Sequence, residues 1–244
     1  MKKLIRTILL FAILVGLGFW GYNAVINREI NINKWFLSGQ VMGVDVSSYQ
    51  IDVDFSELKK QGIEFAYIKA TEGSTHVDSS FKEKWAAARE AGVVAGAYHY
   101  FIYGVSGAEQ AENFIKTVGE LDGERLIPAV DMELTMAEVQ NPPAIDEVIR
   151  GLKAFLAVVE EKYGVKPLIY SQKDYYDKYL AADFASYPRW ARNVFYPVFI
   201  DIGNEWTVWQ YNDKGELSGY IGEKYIDMNV INSAVGIEGL RYKK

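Results

Sequence analysis

From Val41 onward, short apolar runs alternate with segments of helical spacing, and that alternation restricts the chain to few folds. Apolar runs predict strands over residues 41–46, 65–70, 93–101, 126–133, 166–170, 189–194, 206–211 and 225–230. Helical spacing falls between most of them. The segment 55–61 is a short helix stopped by Gly62. Phe81, Trp85 and Ala88 share one face of the next, with Asp78 as N-cap and Gly92 closing it. Residues 108–118 and 173–180 read as helices too. In 142–163, Ile145, Val148, Ile149, Leu152, Phe155, Leu156 and Val159 form the clearest apolar stripe of the chain. Strands alternating with helices imply a parallel sheet with right-handed crossovers. About eight strands over some 200 residues fit a closed TIM-barrel-like (β/α) barrel, irregular because helices thin out late in the chain. No Gly-rich phosphate loop follows the first strand, which disfavours a nucleotide-binding open sheet.

Ahead of this region lies an uncharged run, TILLFAILVGLGFWGYNAVI, over residues 7–26. As a helix its 20 residues would measure about 30 Å, the hydrocarbon thickness of a bilayer. Lys2, Lys3 and Arg6 precede it, which predicts a cytoplasmic N-terminus, and Trp20 and Tyr22 sit near the far end, where amphipathic rings favour the interface. A cleaved signal peptide, giving a secreted protein, is the competing reading. Bulky Phe19, Trp20 and Tyr22 stand where a small-x-small cleavage site would be needed, so an uncleaved single-pass anchor is favoured. The expected organisation is a cytoplasmic stub and anchor at 1–27, a tether at 28–41 and an extracytoplasmic domain at 42–244.

Composition excludes several chemistries. The chain has no cysteine and only two histidines, His76 and His99. That removes thiol nucleophiles and cysteine-ligated zinc and leaves no basis for a His-rich metal site. Residues 1–41 carry five basic side chains against Glu29 alone, a balance of +4; with −6 overall, the remainder holds −10. Such a domain is a poor nucleic-acid binder. The 17 Tyr, 12 Phe and 6 Trp suit a cleft for sugar rings, or an aromatic core equally well.

In such barrels, chemistry sits at the C-terminal ends of strands. Acids recur there: Asp45, Asp131 with Glu133, and Asp227. The sharpest feature is Asp131-Met132-Glu133. Alternate strand residues point the same way, about 6.6 Å apart, so both carboxylates face the mouth and Met132 the outer layer. Like charges that close push their pKa values apart, leaving one group protonated and one ionised. Glycosidic cleavage needs that division, although a strand-end acid can equally pair with a lysine or cap a helix. Lys69, Tyr98, Tyr170, Trp209, Gln210, Tyr211 and Asn229 are the candidate substrate contacts. For Lys69 a salt bridge with Glu72 competes with that role; for His99, a hydrogen-bonded barrel histidine does.

Seven segments in order resemble the glycoside hydrolase family 25 lysozymes (N-acetylmuramidases): GVDVSSYQ from Gly43, FAYIKATEG from Phe65, the stretch from Asp78 to AGVVAGAYHYF, VDMEL from Val130, LIYSQ from Leu168, WTVWQY from Trp206 and IDMN from Ile226. The resemblance covers about residues 42–232. It implies a flattened, irregular barrel that cuts the β-1,4 bond between N-acetylmuramic acid and N-acetylglucosamine in peptidoglycan glycan strands. Glu133 matches the family's general acid. Asp131 matches the carboxylate beside it, which orients the substrate's N-acetyl group or acts more directly. Asp45 and Asp227 match acids of the same cleft, and the resemblance implies no metal or organic cofactor. Two departures stand out. Asn193 and Val194 fall where an aromatic is expected, and Ile51 replaces a frequent glycine. A rival reading is a catalytically weak barrel that binds peptidoglycan and scaffolds a wall complex; the intact carboxylate set argues against it. No protein partner can be read from the sequence; the expected partners are glycan strands and, through the N-terminal helix, the cytoplasmic membrane.

Overall fold

In a computed structural model, residues 2–27 and 29–243 are described, with side chains from Arg6 onward. The Lys2 and Lys3 side chains, Arg28 and Lys244, which entered the charge and boundary arguments above, lie outside the described residues.

Eight strands close a barrel: β1 (Val41–Val46), β2 (Phe65–Glu72), β3 (Val94–Tyr100), β4 (Ala129–Asp131), β5 (Leu168–Gln172), β6 (Arg189–Arg192), β7 (Val208–Gly215) and β8 (Ile226–Ile231). Neighbours pair in chain order from β1 to β7, all parallel. The last strand departs from the all-parallel expectation. It runs antiparallel to both β7 and β1 and closes the ring. The segment between β7 and β8 is too short for a crossover helix, and a short connection joins only antiparallel strands.

Helix α1 (Lys2–Ile26) precedes the barrel, and α2 (Phe55–Lys60), α3 (Phe81–Glu90), α4 (Gly107–Val118), α5 (Met136–Gln140) and α6 (Ile145–Tyr163) lie outside its strands. The stripe on α6 buries Val148, Leu152, Phe155, Leu156 and Val159 against the strands. The N-cap of α3 is Ser80 and not Asp78; Asp78 instead accepts hydrogen bonds from the Ser48 and Ser80 amides. The strand expected over 126–133 shrinks to three residues, because Leu126 and Ile127 turn to pair with the C-terminal segment around Arg241.

The inner layer is aromatic. Phe65, Tyr67, Tyr98, Tyr170 and Trp190 fill the barrel, with Tyr67 and Tyr170 ring centroids 4.8 and 5.1 Å from Trp190. Two glycines make the room. A Cβ on Gly43 would stand 2.4 Å from the Phe65 ring, and one on Gly96 2.3 Å from the Tyr67 ring. This plug floors the barrel, so only its mouth is open.

A third glycine joins helices. A Cβ on Gly107 would meet the Gly151 carbonyl oxygen at 1.9 Å, so α4 and α6 cross backbone to backbone. Gly107→Ala should force them apart and cost about 1–3 kcal/mol, the usual range for overpacking. Thermal unfolding checks this: an unchanged Tm would mean that the helices part freely.

The expected tether is structured. Asn31 caps a 3-10 turn, Ile32–Phe36. Fully buried Asn33 donates to the Tyr211 carbonyl at 2.9 Å and the Asn193 carbonyl at 3.3 Å. The segment is therefore clasped to β7 and to the chain after β6. Helix α1 itself lies with its apolar side chains uncovered, and Arg6–Ile26 is long and apolar enough to cross a membrane.

Candidate active site

The C-terminal ends of the parallel strands open into a cleft of about 410 Å³. Asp45 enters from β1, Asp131 from the end of β4 and Glu133 just beyond it. Met132, between them, is fully buried in the outer layer, as strand alternation requires. Asp227 arrives differently from expected. It is near the start of β8, and the antiparallel direction brings that start to the mouth, directly opposite Asp45.

Beneath the acids lies a polar chain. Asp45 Oδ2 accepts from Asn229 Nδ2 at 2.7 Å and from Gln210 Nε2 at 3.0 Å. Gln210 Oε1 accepts from the Tyr170 hydroxyl at 2.9 Å, and Asn229 Oδ1 from Trp190 Nε1 at 2.8 Å. These bonds fix Asp45 on a rigid floor. Tyr103 Oη donates to the Glu133 carbonyl at 3.0 Å and so holds that backbone. Arg192 pairs with Asp213 at 2.8 Å, and Lys69 with Glu72 at 2.7 Å, 4.8 Å above the Tyr100 ring. Asp131 Oδ1 is buried with no hydrogen-bond partner among the described residues.

Electrostatics follows from crowding acids in a recess. Burial is the main cause for all four carboxyls, and every one is raised. Asp131 stands well above the ordinary aspartate range, pushed further by Glu133 and Asp45. Glu133 is raised by burial and held back by Arg192. Asp45 is raised by burial, against the pull of the Asn229 and Gln210 hydrogen bonds. Asp227 reaches about 8, from burial first and Asp45 second. Burial and mutual repulsion therefore oppose ionising all four together, which favours pairing a protonated carboxyl with an ionised one. That pairing can donate a proton and stabilise a cation in one step.

Of the expected contacts, Lys69, Tyr98, Tyr170 and Gln210 line the cleft. Asn229 lies just below it, fully buried, and acts on Asp45. Trp209 and Tyr211 are not brought to the cleft. They alternate with Gln210 and so face the helix layer, where Trp209 Nε1 donates to the Asn193 carbonyl. His99 is the buried barrel histidine, between Thr71 Oγ1 at 2.7 Å and Gln110 Oε1 at 3.1 Å. Burial lowers its pKa to about 4, so it is neutral. Sequence reasoning passed over Tyr100, Trp190, Arg192 and Asp213, all of which line the cleft. Period-two spacing links two of them to cleft residues, Tyr100 to Tyr98 and Arg192 to Trp190. Among the described residues, no group of three or more His, Asp or Glu side chains is arranged to hold a metal ion.

A floored (β/α) barrel with several buried acids at its mouth has the architecture of a carboxylate-dependent glycoside hydrolase. The profile of glycosyl hydrolases family 25 matches residues 44–220, and the chain belongs to that family. It is 35% identical to the Escherichia coli (strain K12) protein YegX over 222 residues, 89% of this chain and 78% of that one. It is 30% identical to the autolytic lysozyme of Clostridium acetobutylicum, over 76% of this chain and 54% of that one. Among solved structures, a family 25 glycosyl hydrolase from Bacillus anthracis superposes with a TM-score of 0.75 at 38% identity, covering 82% of this chain and 93% of that one. The chain is thus a glycoside hydrolase of the lysozyme type.

Proposed function

We propose that this enzyme hydrolyses the β-1,4 bond between N-acetylmuramic acid and N-acetylglucosamine in peptidoglycan, with Glu133 as proton donor. The observation that carries the reading is the convergence of Asp131 and Glu133, two residues apart, on an acid-lined cleft at the barrel mouth. The naming of relatives as lysozymes and N,O-diacetylmuramidases supports the substrate class.

Burial, with Glu133 and Asp45 close by, raises Asp131 well above the ordinary aspartate range and favours its neutral form. Its unpartnered Oδ1 is an acceptor waiting for a donor. The N–H of a substrate N-acetyl group supplies one, which favours the Asp131 anion and shifts the proton to Glu133. Glu133 then protonates the leaving glycosidic oxygen. The acetamido carbonyl, oriented by Asp131, attacks the anomeric carbon and closes a cyclic oxazolinium. Water, deprotonated by Glu133, reopens it with net retention. Asp45, when ionised, adds negative potential under the developing oxocarbenium charge, and Asp227, raised to about 8, faces it as a neutral carboxyl near pH 7. Lys69, Tyr98 and Tyr170 contact the sugar, while Gln210 and Asn229 keep Asp45 aimed.

Helix α1 would serve as an uncleaved anchor, with 42–244 as the catalytic domain outside the cytoplasmic membrane. The tether would confine the enzyme beside its polymer and raise its effective concentration there.

The test is digestion of purified peptidoglycan by the full chain in detergent, followed by borohydride reduction and mass spectrometry. Fragments ending in reduced muramic acid are expected. Fragments ending in reduced glucosamine would place the cut at the other glycosidic bond. Glycan binding without release would favour a wall-binding scaffold.

A further inference from the structure

The polar junction that clasps the tether also shapes a second apolar surface. The Asn193 carbonyl accepts from Asn33 of the tether and from Trp209 of β7. Its side-chain oxygen accepts from the Phe195 and Tyr196 amides, and its Nδ2 donates to Asp201. One residue therefore fixes the tether and the loop after β6 together. The Phe36 and Phe199 rings meet edge to face at 5.2 Å across that seam. Around the seam stand Trp35, 74% exposed, and Ile200, 65% exposed, with Phe195 and Tyr196 partly uncovered. The patch is apolar and aromatic on an otherwise acidic domain.

We propose that this surface rests in the headgroup boundary of the membrane that holds α1, docking the barrel at a fixed orientation on the lipid. The inference rests on the reading of α1 as an anchor. Chain length argues for lipid as the occupant. Between Ile26, the end of α1, and Asn31, the cap of the clasped turn, the chain can span at most about 17 Å. It does not extend that far. The Glu29 and Ile30 amides both fold back onto the Ala24 carbonyl, and Lys214 Nζ of β7 donates to the Asn27 carbonyl at 3.1 Å. The barrel is thus held against the last turn of the helix. Trp20 and Tyr22 set the edge of the hydrocarbon below that turn. The headgroup zone is about 5–8 Å thick on each side, and folding the tether back onto the last turn of α1 brings the barrel face that carries the patch toward it. Trp, Tyr and Phe rings favour that depth, and exposed Lys34 beside Trp35 suits anionic headgroups. The patch is also at the mouth end of the barrel, since it follows β6. Docking would hold the cleft at a set height and tilt above the membrane.

The absence of cysteine makes the test direct. Single cysteines at Trp35→Cys, Ile200→Cys, Phe11→Cys in α1 and Glu161→Cys on the far end of α6 each carry one fluorophore. The full-length variants are placed, one chain per disc, in nanodiscs of phosphatidylethanolamine and phosphatidylglycerol. A lipid with a nitroxide at a shallow acyl position is the quencher. Quenching at 35 and 200 is expected to exceed that at 161 by at least about twofold. Quenching at 11 with values at 35 and 200 equal to 161 would overturn this proposal and leave the anchor standing. No quenching at 11 would overturn both. Protection at 200 that appears only with two chains per disc would assign the patch to a second copy and overturn the lipid reading.

Discussion

Glu133→Gln lowers the rate of glycan cleavage by about a thousandfold or more while binding of the glycan persists, the size expected when a positioned proton donor is lost. Gln keeps the shape and cannot donate a proton of useful acidity. The backbone should not move, because the Glu133 carbonyl is held by Tyr103, itself bonded to the Tyr175 hydroxyl at 2.8 Å. The wild-type pH profile carries the same logic. Burial raises the Glu133 carboxyl, so its proton is present below that raised pKa and lost as pH rises through it. Activity should therefore fall on the alkaline side, and that limb should vanish from the residual activity of Glu133→Gln. Asp131→Asn should also lose activity, since the amide cannot support the N-acetyl group as an anion does. Full activity in Glu133→Gln, with an unchanged alkaline limb, would move the acid to Asp131 or Asp227.

The residues that sequence reasoning placed well are those set by strand period. Asp131 and Glu133 face one way because they are two apart, and Met132 is buried for the same reason. The same rule, applied to 206–211, would have excluded two of the three residues Trp209, Gln210 and Tyr211. Treating them as one motif hid the alternation that sends Trp209 and Tyr211 to the helix layer. For Asp227 the strand-end rule gives the right place for the wrong reason, since it assumes a parallel last strand. Asp227 reaches the mouth because β8 is antiparallel, and nothing local to IDMN encodes that; the signal is the missing helix before it. The clasp of the tether was illegible for a different reason. A buried Asn33 bonded to two carbonyls depends on partners at 193 and 211, far away in sequence, and asparagine in a polar segment reads locally as a turn.

Asp227→Asn should stabilise the fold, increasingly so as pH rises from about 4 to about 8. In the unfolded chain this carboxyl titrates at 3.8, and in the fold at about 8. Below the lower value it is neutral in both states and contributes no difference. Between the two values the unfolded chain releases a proton that the folded chain retains, so wild-type stability declines with pH across that window. Above about 8 the full cost of ionising beside Asp45 is present. Asparagine fills the same space opposite Asp45 without that charge. Asp227 is partly reached by solvent, which discounts the gain to about 1–3 kcal/mol near pH 8, or several degrees in Tm for a domain this size. Calorimetry of wild type and Asp227→Asn at pH 5 and pH 8 measures it. The variant's Tm should exceed the wild type's more at pH 8 than at pH 5. Parallel pH dependence would mean that Asp227 is ionised in the fold throughout, with Asp45 and Asp131 sharing the proton between them. A widening gap, with reduced cleavage at both pH values, would mean that the enzyme sacrifices stability to keep this acid in its cleft. The cause would be the one that raises Glu133, carboxyls crowded and largely desolvated above a floor of buried aromatics.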